Sequence, residues 1–220
     1  LQGPKAAEVL SRFANPARHM GFMSAAKLHI GEFECFITRS GYSGEDGYEI
    51  SVPDDGAEDL ARLLLDEDEV EFAGLGARDS LRLEAGLCLY GSDIDDTTTP
   101  IEADLKWTIS KRRREQGGFP GADIIQQQIA EGPPRLRVGI KPEGRAPARA
   151  HTEITDNIGT VIGEITSGGF GPTLGAPVAM GYVDSAFAAH GTDVSLLVRG
   201  KSLPAKVTST IFVKHNYYSG

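Results

Sequence analysis

The sequence has few of the features that identify several large classes of protein. Its two cysteines, Cys35 and Cys88, can form neither a disulfide framework nor a thiolate metal site. No apolar run approaches the roughly 20 residues that span a bilayer, and no signal-peptide pattern is present. The five histidines have neither metal-site nor triad spacing. We therefore expect a soluble intracellular protein with no metal ion and no membrane partner, in which both cysteines are small buried apolar residues.

Positive charge is also scarce in this chain. Its 22 lysines and arginines are outnumbered by 31 acidic residues, which gives a net charge of −9. This balance argues against nucleic acid as the main partner, because phosphate binding needs a basic face. The strongest basic cluster follows Trp107 and consists of Lys111, Arg112, Arg113 and Arg114. The cluster is either a solvated face or a dock for an acidic partner protein or a polyanionic tail.

The first part of the chain has a mixed helix and strand pattern. Helical spacing of apolar residues follows Pro4 and ends at Asn15-Pro16. Residues 27–30, 33–40 and 48–52 have the β-branched or alternating character of strands. Further helices are expected after Asp54 or Asp55 and over 77–85, where Gly86 is a natural stop. The pattern predicts an α+β fold with helices on one face of an antiparallel sheet.

The pattern changes after about residue 130. Gly132-Pro133-Pro134 has the composition of a linker, and the short strands expected downstream lie about ten residues apart, at 136–140, 161–166, 179–183, 194–198 and 205–208. Regular short strands with turn signals between them are typical of a small β-barrel or sandwich. We predict two domains, an α+β domain over 1–131 and a β-barrel over 132–220.

A glycine-rich turn at residues 41–47 contains the first candidate site. It is either an ordinary hairpin turn with solvated acids or the rim of a binding site. The second interpretation depends on Glu49, which alternates with Tyr48 and Ile50 and should face away from them. A carboxylate there can accept two parallel hydrogen bonds from an amidine-like edge of a heterocycle. Tyr42 could stack on such a ring.

Two further segments offer candidate residues. Arg78 and Arg82 share a helix face, where they either pair with Asp79 and Glu84 or present Arg78 to an anionic group. Near the end of the sequence, Tyr217 belongs to an aromatic pair that either frays with the terminus or packs back on the body. An acidic loop at 93–102 lacks the spacing of a calcium site.

An ordered series of motifs resembles one known family. The motifs are LQGP (1–4), GYSGEDGYEIS (41–51), ARDSLRLEAGL (77–87), TTPIE (98–102), GEITSG (163–168), AMGYV (179–183) and NYY (216–218). Each motif is weak alone, but together and in order they cover essentially the whole chain. They resemble the T-protein of the glycine cleavage system, a tetrahydrofolate-dependent aminomethyltransferase.

The resemblance implies a fold, a reaction and a set of site residues. The fold is part of a three-domain cloverleaf, here a mixed, ferredoxin-like piece followed by a C-terminal β-barrel. T-proteins transfer an aminomethyl carbon from the lipoyl arm of H-protein to tetrahydrofolate and release ammonia. The positions that match the family's folate site are Tyr42, Glu49, Arg78 and Tyr217. By this resemblance, Glu49 contacts the pterin edge. Lys111 to Arg114 contact either H-protein or the folate tail, and we favour H-protein, because the basic run should be exposed and that partner is usually acidic.

The same resemblance suggests that the sequence is a fragment. The family's candidate catalytic aspartate belongs to a segment upstream of Leu1, so we expect no catalytic residue here, little turnover, and an incomplete first domain whose exposed surface favours self-association. Alternatives are a folate-binding module without catalysis and the folate domain of a sarcosine or dimethylglycine dehydrogenase. Iron–sulfur assembly factors of the same fold are disfavoured, because residues 118–123 lack their cysteine. The compartment is the bacterial cytoplasm or the mitochondrial matrix, according to the source.

Overall fold

A computed structural model describes residues 1–220 as two compact units. The first unit comprises Leu1–Ala85 together with Val213–Gly220, and the second comprises Gly86–Phe212. We refer to Val213–Gly220 as the C-terminal tail. No helix of the structure has both the length and the apolar character needed to cross a membrane.

The first unit is an antiparallel sheet with helices. Its elements are α1 (Ala6–Phe13), β1 (Ala25–Ile30), β2 (Phe33–Thr38), β3 (Glu49–Ser51), α2 (Ala57–Leu65) and α3 (Leu75–Glu84). The strands lie in the order β1-β2-β3, and β2 pairs with both neighbours. The predicted helices and strands of this part are confirmed, with ends that differ by at most three residues.

The core of this unit forms because apolar positions recur with the period of each element. Helix α1 buries Val9 and Leu10, and β2 buries Cys35 and Ile37 on one face. Tyr48 is also fully buried, and its hydroxyl donates to the carbonyl of Ala17 at 3.0 Å. A buried phenol needs such a partner, because an unpaired hydroxyl in an apolar interior costs free energy. Tyr48 thus anchors the strand in which Glu49 lies.

The second unit contains a closed barrel. Its elements are α4 (Lys111–Gln116), α5 (Ala122–Glu131), β4 (Arg135–Pro142), β5 (Glu153–Thr155), β6 (Val161–Gly171), β7 (Ala176–Asp184), β8 (Asp193–Val198) and β9 (Lys201–Thr208). All barrel pairs are antiparallel, in the order β4-β7-β6-β5-β8-β9. The predicted α+β piece followed by a β-barrel is confirmed. Strand β5 and helices α4 and α5 are additions to the sequence-based description.

Two large buried polar side chains of the second unit, Arg137 and Tyr182, are held by hydrogen bonds. The buried guanidinium of Arg137 donates to the carbonyls of Ala103 and Gly86, at 2.9 and 3.2 Å. The Tyr182 hydroxyl donates to the carbonyl of Asp93 at 2.7 Å, and burial raises the pKa of this phenol to about 12. Buried polar groups are tolerated when their hydrogen-bonding capacity is met in this way.

The two compact units differ from the two predicted domains in where they divide the chain. The barrel strands begin at Arg135, shortly after the Gly132-Pro133-Pro134 segment. Helices α4 and α5, however, are grouped with the barrel, and the C-terminal tail is grouped with residues 1–85. The division into domains 1–131 and 132–220 remains a prediction about separately folding pieces.

Candidate functional site

The glycine-rich turn at residues 41–47 is held by contacts from the beginning of the chain. Gln2 donates through Nε2 to the carbonyl of Ser40 at 3.0 Å, and its Oε1 accepts from the Ser43 hydroxyl at 2.8 Å. Gly44 has a φ of +79°, and a Cβ there would lie 2.9 Å from the Cβ of Ala85. Only glycine adopts this backbone without strain. We call residues 41–47 the glycine-rich loop.

Glu49 lies at the start of β3, directly after this loop, and its side chain is exposed. The alternation predicted from sequence holds, since its neighbour Tyr48 is fully buried. Glu49 Oε2 accepts a hydrogen bond from the Ser40 hydroxyl at 2.8 Å, and Ser40 in turn shares a 2.7 Å hydrogen bond with Thr38. A second carboxylate oxygen, Oε1, is left to accept hydrogen bonds from a ligand.

Glu49 and Arg78 line one cavity of about 380 Å³. Its other walls come from Leu1 and Gln2, from β3 and the residues on either side of it, and from α2. Most of these side chains are apolar, among them Ile50, Val52 and Leu60. Small-molecule sites are commonly concave, mostly apolar and provided with a few polar groups that fix orientation, and their volumes run from roughly 300 to 1,000 Å³. The cavity therefore has the size and character of a site for part of a heterocyclic ligand.

Arg78 lies in the first turn of α3 and is exposed. Its guanidinium carbon is 5.5 Å from the centre of the Tyr42 ring, within the range of a cation–π contact. Arg82, one turn later, is buried and pairs with Asp79 at 2.8 Å. The ion-paired arginine expected from the sequence is thus Arg82, whereas Arg78 forms no ion pair and can meet an anionic ligand group.

Tyr217 is half-buried in the C-terminal tail, which packs back on the first unit. Its ring stacks on Phe22 with a centroid distance of 4.3 Å and an angle of 12° between the planes. Burial raises the pKa of the Tyr217 hydroxyl. The preceding Asn216 donates its backbone N–H to the carbonyl of Gly44 at 2.8 Å and its side-chain amide to Glu45. The tail is therefore ordered against the glycine-rich loop.

The structure brings the four predicted folate-site residues together to different degrees. Tyr42 contacts Arg78, and Arg78 shares a cavity with Glu49. Tyr217 joins them through the glycine-rich loop, because Asn216 binds the loop at Gly44 and Glu45. No hydrogen bond or ring stacking joins the Tyr217 side chain to Glu49 or Arg78.

Two residues that the sequence did not single out also belong to this region. Phe22 supplies the ring beneath Tyr217, and Arg39 contacts both the glycine-rich loop and the C-terminal tail. Phe22 lies outside any helix or strand, and Arg39 follows β2 directly. Phe22 has no periodic signal in the sequence. Arg39 continues the alternation of the buried Cys35 and Ile37, but its charge is the reverse of what a buried strand position normally carries.

The basic cluster lies on α4 in the second unit. Lys111, Arg112 and Arg113 are exposed, whereas Arg114 is half-buried. Lys111 is 3.8 Å from Glu115, and Arg113 donates to the carbonyl of Gly118 at 3.0 Å. Exposed pairs of this kind contribute little to stability, so the positive charge remains available to a partner.

Comparisons with known proteins match this chain over nearly all of its length. A family model described as the GCVT N-terminal domain matches residues 1–113, and one described as the glycine cleavage T-protein C-terminal barrel domain matches 135–214. Mitochondrial aminomethyltransferases of Mesembryanthemum crystallinum and Homo sapiens are 52% and 51% identical over 221 residues. These matches cover 99% and 100% of this chain but 54% and 55% of the relatives, so the chain spans about half their length.

A solved structure gives the same result at the level of the fold. The crystal structure of the glycine cleavage system aminomethyltransferase T from Bartonella henselae superposes with a TM-score of 0.93 at 48% identity. The match covers 99% of this chain and 60% of that one. Both described units therefore have a counterpart in that structure.

Proposed function

Because the chain belongs to the glycine cleavage T-protein family of aminomethyltransferases, we propose that its first unit binds tetrahydrofolate. In the whole protein, this site serves the transfer of an aminomethyl carbon from lipoylated H-protein to tetrahydrofolate, with release of ammonia. The observation that carries the proposal is the cavity that Glu49 and Arg78 share. When bound, tetrahydrofolate supplies the nitrogen atoms that accept the one-carbon unit.

The residues present fit a folate. Glu49 keeps one carboxylate oxygen free of protein hydrogen bonds, beside apolar walls that suit a flat heterocycle. The N–H groups of a pterin edge can donate to that carboxylate, and hydrogen bonds to a charged acceptor are the stronger class. In this arrangement Glu49 orients the ring, and the Ser40 hydroxyl keeps the Glu49 carboxylate in place.

Arg78, Tyr42 and Tyr217 complete the proposed site away from the pterin edge. Arg78 carries a guanidinium without a carboxylate partner, and folate carries a negatively charged glutamyl tail. A guanidinium fork matches carboxylate geometry in two parallel hydrogen bonds. Tyr42 covers Arg78 from one side, while Tyr217 offers an aromatic edge at the C-terminal tail. We assign no catalytic residue among these groups.

Isothermal titration calorimetry with 5-formyltetrahydrofolate tests the proposal. We expect the wild-type chain to bind, and Glu49→Ala to weaken binding about ten-fold or more, because hydrogen bonds to the carboxylate are lost. Glu34→Ala is the matched control, since Glu34 is an exposed glutamate on β2 that lies away from the cavity. Equal affinities for wild type and Glu49→Ala would remove Glu49 from the site.

A second assay separates an enzyme from a binding module. The transferase proposal predicts that the whole protein forms 5,10-methylenetetrahydrofolate from aminomethylated H-protein, and that Glu49→Ala lowers this activity. The present chain, measured alone in the same assay, is expected to show little or no turnover. Folate binding without turnover in the whole protein would favour the binding module.

We further propose that Lys111, Arg112, Arg113 and Arg114 bind H-protein, and that they do so through complementary charge. The support is their position on α4, with three exposed cations in a chain of net charge −9. Charge complementarity mainly raises association rates and is weakened by salt. We propose that these encounters take place in the mitochondrial matrix if the source is eukaryotic, because the named relatives are mitochondrial, and in the cytoplasm if it is bacterial.

Charge reversal tests the partner surface. The variant Arg112→Glu/Arg113→Glu should lower the affinity for lipoylated H-protein about ten-fold at low ionic strength and flatten its salt dependence. The control Lys141→Glu/Arg145→Glu makes the same change in net charge at two other exposed positions of the second unit. If both double variants bind H-protein equally well, α4 is not the binding surface.

A further inference from the structure

Arg39 is a buried arginine whose guanidinium donates hydrogen bonds along its edges and is covered by an aromatic ring on one face. Its side chain is 2% exposed. Nε and Nη2 donate to the two carboxylate oxygens of Asp46, at 2.9 and 2.6 Å, in a bidentate pair. Nη1 donates to the carbonyls of Arg18 and Met20, at 3.0 and 2.7 Å. The Tyr218 ring covers one face, with its centre 3.7 Å from the guanidinium carbon.

These contacts come from three separate segments of the chain. Each segment contains a residue of the candidate site or lies within two residues of one. Asp46 belongs to the glycine-rich loop, which also carries Tyr42. Met20 lies two residues before Phe22, the ring on which Tyr217 stacks. Tyr218 follows Tyr217 in the C-terminal tail.

We propose that Arg39 is the positioning residue of the candidate site: it fixes the glycine-rich loop, the segment before Phe22 and the C-terminal tail in one arrangement, and so presents Tyr42 and Tyr217 together. The inference rests on the proposed folate site for its functional consequence, but the arrangement itself is measurable without folate. Arg39 does not line the cavity that Glu49 and Arg78 share, so it acts through these other residues.

Lysine cannot replace Arg39 in this role. An ammonium group has no planar fork for two parallel hydrogen bonds to Asp46, and it cannot stack flat beneath an aromatic ring. Lysine keeps the positive charge, however, so the Asp46 carboxylate still has a cation beside it. Arg39→Lys therefore separates the geometry of the guanidinium from its charge.

Tyr218 offers a second test that does not disturb a buried charge. The residue is 38% exposed, so substitution there should leave the first unit folded. Tyr218→Phe retains the aromatic face over Arg39, whereas Tyr218→Leu removes it. Both substitutions place an apolar side chain at the same position, and they differ in whether an aromatic ring covers Arg39. Neither changes a residue of the glycine-rich loop.

Hydrogen exchange and folate titration on the same proteins test the inference. In Arg39→Lys we expect faster amide exchange in both 41–48 and the C-terminal tail, where the Asn216 amide is bonded to Gly44, with the strands β4–β9 unchanged. Tyr218→Leu should release the tail alone and raise the dissociation constant for 5-formyltetrahydrofolate about five- to thirty-fold. Tyr218→Phe should match wild type in both measurements.

Three results would overturn the inference. The first is wild-type exchange in the loop and the tail of Arg39→Lys, and the second is faster exchange throughout residues 1–85, which is general destabilisation. The third is Tyr218→Phe giving the same amide exchange and the same folate affinity as Tyr218→Leu. If Arg39→Lys does not fold, the comparison of these two Tyr218 variants alone tests the inference. Failure of the wild-type chain to bind folate would count against the proposed function, and exchange would still decide whether Arg39 joins the loop and the tail.

Discussion

Arg12 lies among three carboxylates, from Glu8, Glu67 and Glu69. Its hydrogen bonds to Glu69 measure 2.7 and 3.0 Å, and they lower the pKa of that carboxyl to about 2. The folded-state pKa is thus below the ordinary value of 4.5. A carboxyl whose pKa is depressed in this way stabilises the folded state at pH values above its unfolded-state pKa. That stabilisation is lost as the pH falls towards the folded-state pKa.

We therefore expect the free energy of unfolding to fall between about pH 5 and pH 2, and to fall less steeply in Arg12→Met. Urea denaturation at several pH values measures the two slopes. Arg62→Met is the control, because Arg62 pairs only with the exposed Glu58 one turn away on α2. Identical slopes for wild type and Arg12→Met would show that this cluster has no effect on acid stability.

At the scale of single residues, the sequence predicted exposure better than it predicted partners. Strand alternation was enough to turn Glu49 outwards and Tyr48 inwards. Alternation also places Arg39 on the buried face with Cys35 and Ile37. Its partners could not be read from the sequence, because they lie 7, 19 and 21 residues away in the chain. A lone arginine after a strand is normally a surface residue, and only the folded contacts show what holds it inside.

Among the elements, α3 shows how a helix end depends on one backbone conformation. The helix ends at Glu84, and Gly86 follows with a φ of +74°. A Cβ at Gly86 would lie 2.4 Å from the carbonyl oxygen of Thr210, well inside van der Waals contact. Glycine is therefore required twice, for the left-handed backbone and for the close approach.

Gly86→Ala should lower the free energy of unfolding by about 2 kcal/mol or more. Gly91→Ala separates the two causes, since Gly91 has a similar φ of +85° but nothing within 4 Å of an added Cβ. The control variant should lose only about 1 kcal/mol, the conformational part. Thermal or chemical denaturation gives both values, and equal losses would mean that the contact with Thr210 relaxes without cost.

Element predictions from the sequence were strongest where apolar residues repeat. The strands with clear alternation or β-branched runs were placed to within five residues at either end. Strand β5 was missed because Ile154 is its one large apolar residue, so no apolar repeat marks it, whereas β3 is marked by Tyr48, Ile50 and Val52. Helix α5 was missed although it buries Ala122 and Ile125, because its three consecutive glutamines hide the apolar spacing. Helix α4 has no buried residue at all, so burial left no signal in its sequence.

At the scale of the whole molecule, the first unit is built from two separate stretches of the chain. Residues 1–85 form most of that unit, the barrel unit follows, and the C-terminal tail then returns to bind the glycine-rich loop. A linker composition at residues 132–134 could be read from the sequence. The composition of the tail left both fraying and packing back open, and only the family resemblance grouped Tyr217 with Tyr42, Glu49 and Arg78. The return of the tail depends on contacts such as Asn216 with Gly44, which join residues far apart in the chain.

The order in which the chain is synthesised gives this return a consequence for biogenesis. Domains generally fold as they leave the ribosome, N-terminal parts first. Tyr218 emerges from the ribosome only after the whole barrel unit. The Tyr218 ring can therefore pack on Arg39 only once translation has passed the last strand. Arrested nascent chains with only residues up to Phe212 outside the exit tunnel should therefore fail to bind 5-formyltetrahydrofolate. Chains extended by a flexible linker beyond Gly220 should bind it while still attached to the ribosome, and binding by both would mean that the site matures without the tail.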